Sequence, residues 1–171
     1  YHHAPEWVRR KDGKLPVDLF GTYRFAKKAA ETFRGQMTAW EFWNEQDIGF
    51  AVEAAWDYAA ALKAAYLGFK AADPELPVAI GGYAITPILP YADVVMKNGA
   101  GEYFDIFSVH TYRPISEFPA ALRSIRSHLE RFGAADRPIW FTENGSNMEG
   151  AGRADGLLPG LKAHSPEQEM L

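Results

Sequence analysis

Two aromatic-rich apolar runs, Trp40-Glu41-Phe42-Trp43-Asn44-Glu45 and Pro138-Ile139-Trp140-Phe141-Thr142-Glu143-Asn144-Gly145, constrain this chain more than any other feature. Each reads as a short buried strand that stops at a carboxylate. Apolar side chains account for the burial, but a core has no use for Glu45 or Glu143. A carboxylate at the exit of a buried strand is best explained by chemistry at the C-terminal edge of a sheet. Two of them suggest an acid and a nucleophile facing one substrate.

The segments between these runs alternate regularly. Leu19, Tyr23, Ala26, Ala30 and Phe33 step by four and three and predict a helix stopped at Gly35, before a strand over residues 37–44. Val52, Ala55, Ala59, Leu62, Tyr66 and Phe69 predict a second helix, closed by Asp73-Pro74, with a strand over 77–82 after it. A shorter helix near 91–97 ends at Asn98-Gly99, and a strand follows over 104–110. Phe118, Leu122, Ile125, Leu129 and Phe132 mark the next helix, with Gly133 after it, then a strand over 139–142. Ser165-Pro166-Glu167-Gln168 has the features of one more helix start.

Strictly alternating helices and strands imply right-handed crossovers and a parallel sheet. Glu45 and Glu143 lie 98 positions apart, about 33 residues for each of three strand-to-strand steps, as βαβ units require. A doubly wound sheet alternates in the same way. No GxGxxG or GxxxxGK[ST] loop follows any strand, so nucleotide binding loses its usual support. Four strands alone would leave two parallel edges unpaired, and a whole eight-stranded barrel takes about 250 residues. The expectation is therefore a single partial domain over residues 1–171, the second half or so of a barrel.

Composition narrows the function classes. Hydrophobic residues make up 47% and charged residues 23% of the 171, an ordinary globular profile. A net charge of −4 argues against nucleic acid or an acidic membrane as the main partner. No apolar run has the length of a membrane span. The chain has no cysteine, which excludes disulfides and thiolate metal sites and leaves the compartment open.

With Asn44-Glu45 closing one strand, Glu143 closing another and His110-Thr111-Tyr112 between them, the chain resembles the clan A retaining glycoside hydrolases. Those enzymes are (β/α)8 TIM barrels, with Asn-Glu ending the fourth strand and Glu ending the seventh. The phrase Trp-Glu-Phe-Trp-Asn-Glu is most similar to family 39, with family 5 next. Thr142-Glu143-Asn144-Gly145 also resembles family 1, which carries Pro where this chain has Gln46 and a longer interval between carboxylates.

The resemblance implies that the chain covers roughly strands 4 to 7 of the barrel and their helices, and that it hydrolyses O-glycosidic bonds, β-linked ones in particular. Glu45 would be the acid/base and Glu143 the nucleophile. Asn44 would bond the sugar 2-hydroxyl, Tyr112 would donate to Glu143, and His110 would line the same pocket and contact Glu45 or the substrate. No metal or organic cofactor is implied, since two carboxylates and water suffice. The partner is a carbohydrate substrate, with the remainder of the barrel or a second copy of the chain closing the sheet.

Other readings stand beside this one. The chain could be a carbohydrate-binding barrel without turnover, or an architectural half-barrel that self-associates. Glu41, deeper in its strand, reads as a buried charge paired with a basic residue. Trp43 and Trp140 read as core, and Arg9-Arg10-Lys11 as a solvated face. His2 and His3 lack a third ligand at metal spacing and read as loop residues. Asn147, Met148 and the 150–156 stretch would form a loop beside Glu143.

Overall fold

The structure, a computed structural model, describes residues 4–84 and 90–145. Ser165–Gln168, His2, His3 and the loop after Gly145 lie outside the described residues. Helix α1 (Leu19–Thr32) precedes strand β1 (Trp40–Asn44), and helix α2 (Ala55–Ala72) precedes β2 (Val78–Gly82). A short helix α3 (Pro90–Val95), extended by a wide turn over Met96–Ala100, leads to β3 (Phe107–Thr111). Helix α4 (Phe118–Arg131) leads to β4 (Ile139–Asn144).

The strands are parallel and lie side by side in chain order. β1 pairs with β2 from Trp40 opposite Val78 to Asn44 opposite Gly82, and β3 pairs with β4. Single bridges at Ala79–Ile106 and Tyr83–Val109 join the two ribbons, with the Tyr83 N–H donating to Ser108 O at 3.2 Å. Parallel neighbours in sequence order require helical crossovers on one side, and the helices supply them. The alternation expected from the sequence is thus present.

The core lies between sheet and helices. α2 buries a broad face, including Tyr58, Ala61, Leu62, Ala65 and Phe69, because it is covered by α1 as well as by the sheet. At Gly68 an added Cβ would lie 2.3 Å from Tyr23 O, so α1 approaches too closely for any side chain there. Trp40 stacks on Phe69 with ring centroids 5.0 Å apart, and Tyr83 on Phe107 at 5.3 Å. Each large side chain so buried contributes roughly 1.5–3 kcal/mol.

Several expected boundaries and burials move. Residues 37 and 38 are exposed and outside β1, whose ladder begins where Trp40 N–H bonds Pro77 O. Residues 104–106 likewise precede β3, and β4 runs two residues past 142. α2 starts at Ala55 because Val52 is exposed in the loop before it. Leu19, Phe33 and Leu122 are exposed, and α1 buries the smaller Thr22, Ala26 and Ala30, which permit its close packing on α2.

Trp43 is core at 3% exposure, but Trp140 is 39% exposed, because β4 pairs on one side only among the described residues. Arg10 and Lys11 are exposed as expected, with Arg10 pairing with Asp57 at 3.6 Å, whereas the half-buried Arg9 turns its guanidinium to Gly13 O. Among the described residues no helix is long and apolar enough to cross a membrane.

Candidate active site

Because all four strands are parallel, their C-terminal ends share one edge, and the expected site residues gather there. Asn44 is the last residue of β1 and Glu45 follows it. Gly82 ends β2, His110 and Thr111 end β3 with Tyr112 next, and Glu143 is the penultimate residue of β4. Asn44 is half-buried opposite Gly82.

The backbone at the exit of β1 is strained. Trp43 has φ of 78° and Glu45 of 43°, both in the left-handed region that a side chain disfavours. Such residues cost about 1–3 kcal/mol each and persist only where the surroundings hold them. Here Trp43 is buried and its indole N–H donates to Phe50 O at 2.8 Å. Glu45 N–H bonds Gly82 O at 2.9 Å, and Glu45 O accepts from Ile48 and Phe50. The fully buried Gln46 donates to Gly81 O at 2.8 Å, fastening the turn to β2. The strain aims the Glu45 side chain, and its neighbours hold it there.

A bulge does the same for the second carboxylate. The β3–β4 register runs Val109 opposite Phe141 and then His110 opposite Glu143, so Thr142 is an extra residue in β4. An unbroken ladder would set Thr142 beside His110 and turn Glu143 to the other face. The bulge is supported from below. Thr142 Oγ1 and Ser108 Oγ are 2.5 Å apart, and Thr142 Oγ1 lies 3.5 Å from Glu41 Oε1. Glu41 takes hydroxyl and amide donors, with the Gly82 N–H at 2.9 Å, and among the described residues no basic side chain pairs with it.

His110 joins the two carboxylates. Its Nδ1 is 3.0 Å from Glu45 Oε1 and 3.5 Å from Glu143 Oε2. One side-chain nitrogen or oxygen from each of the three lies within 4.8 Å of the other two. The histidine side chain is 3% exposed, that of Glu45 14% and that of Glu143 45%, so the gap opens toward solvent on the Glu143 side. Tyr112 donates its phenol to Glu143 Oε1. Burial, then the bond to Glu143 and the charges of Glu143 and Glu45, push the Tyr112 phenol up to about 12. It stays a donor at any ordinary pH.

Chemically, two carboxylates at this separation can act on the same bond from opposite sides, since about 5–5.5 Å between carboxyl groups leaves no room for an intervening water. A shallow, open surface depression lies elsewhere, on α4 along Ser124, Ser127, His128, Glu130 and Arg131. It sits in the helical layer, not at the strand ends. Sequence reasoning missed Thr142, Gln46 and the seat at Gly82. The Gly81-Gly82 pair inside a strand was the one available signal of close backbone approach.

No protein-family model matches the chain, and no curated protein sequence matches it significantly. Solved structures do. A glucosidase from Croceicoccus marinus superposes with a TM-score of 0.66 at 17% identity, over 76% of this chain and 31% of that one. A fungal beta-1,4-galactanase gives 0.60 at 16% identity, over 78% and 46%. N2152 from Neocallimastix frontalis gives 0.56 at 19% identity, over 83% and 35%. The chain thus spans less than half the length of each of these solved chains. At these identities the likeness is one of fold: this β/α arc has the architecture of part of known glycoside hydrolases.

Proposed function

We propose that the chain is part of a retaining glycoside hydrolase that cleaves β-linked O-glycosides by double displacement. The observation that carries this reading is the approach of Glu45 and Glu143 to within 4.8 Å around His110. Inverting enzymes hold the pair about 6.5–9.5 Å apart to admit water.

Glu143 attacks the anomeric carbon while the bond to the leaving oxygen breaks, and Glu45 gives that oxygen its proton. Glu45 then takes a proton from water, which attacks the same carbon and releases Glu143. Tyr112 favours Glu143 as nucleophile, because its phenol occupies Oε1 and fixes the direction of the carboxylate. With acceptors on both sides, His110 Nδ1 carries hydrogen. Its bond to Glu45 Oε1 leaves Oε2 to hold the catalytic proton. Asn44, next to Glu45, would bond the sugar 2-hydroxyl, an interaction that strengthens in the oxocarbenium-like transition state. No cofactor takes part in this scheme.

On this reading β1–β4 stand for strands four to seven of a (β/α)8 barrel, and the described chain is one domain. β1 and β4 each pair on one side only among the described residues, so closure falls to the remainder of the barrel or to a second copy.

The test is hydrolysis of a panel of aryl β-glycosides and β-linked polysaccharides, with binding measured alongside. Glu45→Gln and Glu143→Gln should each lose turnover by roughly 10³-fold or more while still binding carbohydrate. Binding without turnover in the unaltered protein would favour a lectin-like barrel. Neither binding nor turnover would remove the glycosidase reading.

A further inference from the structure

The face-to-face arrangement of Glu45, His110 and Glu143 has the makings of a second kind of site. Neighbouring ligand atoms in tetrahedral zinc, with bonds of roughly 2.0–2.2 Å, lie about 3.3–3.5 Å apart. The two edges through His110 Nδ1, at 3.0 and 3.5 Å, bracket that spacing. The third, within 4.8 Å, closes by a small turn of the nearly half-exposed Glu143 carboxylate about its Tyr112 contact. Tyr112 binds Oε1 of Glu143 and so leaves Oε2, the atom facing His110, free to coordinate. It serves as the outer partner that such ligands usually have.

One imidazole nitrogen with two carboxylate oxygens suits a first-row transition ion, not magnesium or calcium, which take all-oxygen shells. The exposed side of Glu143 gives the fourth position to water.

We propose that Glu45, His110 and Glu143 bind a divalent cation of the zinc type. The ion replaces the hydrogen on His110 Nδ1, which leaves as a proton, and no redox change is involved. A bound ion would occupy Glu143 Oε2, the oxygen that Tyr112 leaves free to act on substrate. Its inhibitory consequence, though not the binding itself, rests on the glycosidase reading.

The experiment uses Co²⁺ as a spectroscopic probe and Zn²⁺ in calorimetry on the full chain. His2 and His3 are both replaced by Ala so that they supply no competing ligands. The expected result is one equivalent bound, with visible cobalt bands typical of four-coordination. Glu143→Gln should lower Zn²⁺ affinity more than about 100-fold, beyond the 10–100-fold typical of an outer partner, and Tyr112→Phe should fall within that smaller range. Because Glu143 is exposed, the Gln variant should fold, which circular dichroism checks; His110→Gln gives an independent second reading. No uptake, or uptake that Glu143→Gln leaves unchanged, would overturn the proposal. Metal uptake in a protein that hydrolyses no glycoside would leave the metal site standing and remove only the glycosidase reading.

Discussion

Gly82 is the seat of the His110 ring: a Cβ at position 82 would lie 2.1 Å from His110 Nε2. The ring that joins the two carboxylates can therefore rest on β2 only because β2 ends in glycine. Gly82→Ala should displace His110 and lower kcat/KM by roughly 100-fold, as a misplacement of about 1 Å can. The overpacking should cost about 1–3 kcal/mol. Gly49→Ala is the control, since its Cβ would meet nothing within 4 Å. Equal, small effects of both substitutions on kcat/KM would show that the His110 seat does not matter.

The Tyr112 phenol, pushed up to about 12 by burial and then by Glu143, should ionise later than the ordinary phenol value near 10. An ultraviolet difference titration between the unaltered chain and Tyr112→Phe isolates this step from the buried tyrosines. Glu143→Gln should move it down toward 10. The sign for stability follows: a group whose folded value is raised stabilises fully below its unfolded value of about 10. That contribution is lost as pH rises through about 12. A Tyr112 step that stays in place in Glu143→Gln would separate the two residues.

At the opposite edge of the sheet, Asp105 accepts from Val78 N–H at 2.8 Å and pairs with Lys70 at 2.8 Å. That edge should govern stability and not chemistry. Asp105→Ala should lower unfolding free energy by about 1–3 kcal/mol through the unpaired amide and leave KM unchanged. Urea unfolding and steady-state kinetics on the same preparation check both halves, and a selective rise in KM would contradict the division of edges.

Much of the fold was legible because hydrophobic spacing is a local property. The order of α1, β1, α2, β2, α3, β3, α4 and β4 follows from it, and Gly133 stops α4 with a φ of 70°, while Gly35 and Gly99 turn the chain a few residues after α1 and α3. The strand ends bearing Glu45 and Glu143 stood out because a charged group after an apolar run is conspicuous. Their relative aim was not legible. It depends on the Thr142 bulge, on positive φ at Trp43 and Glu45, and on the Gly82–His110 contact, each set by partners distant in sequence. Trp140 illustrates the same limit: its apolar context reads as core, but burial depends on what covers β4.

The central claim is that Glu143 becomes covalently bonded to sugar. A 2-deoxy-2-fluoro glycoside with a good leaving group slows both steps, the second more than the first, so the glycosyl-enzyme accumulates. After incubation with a panel of such β-glycosides, mass spectrometry of proteolytic peptides should find one fluorosugar on the peptide containing Glu143, and none in Glu143→Gln. An adduct on Glu45, or turnover of the parent glycosides with no adduct and inverted anomeric configuration, would contradict the account.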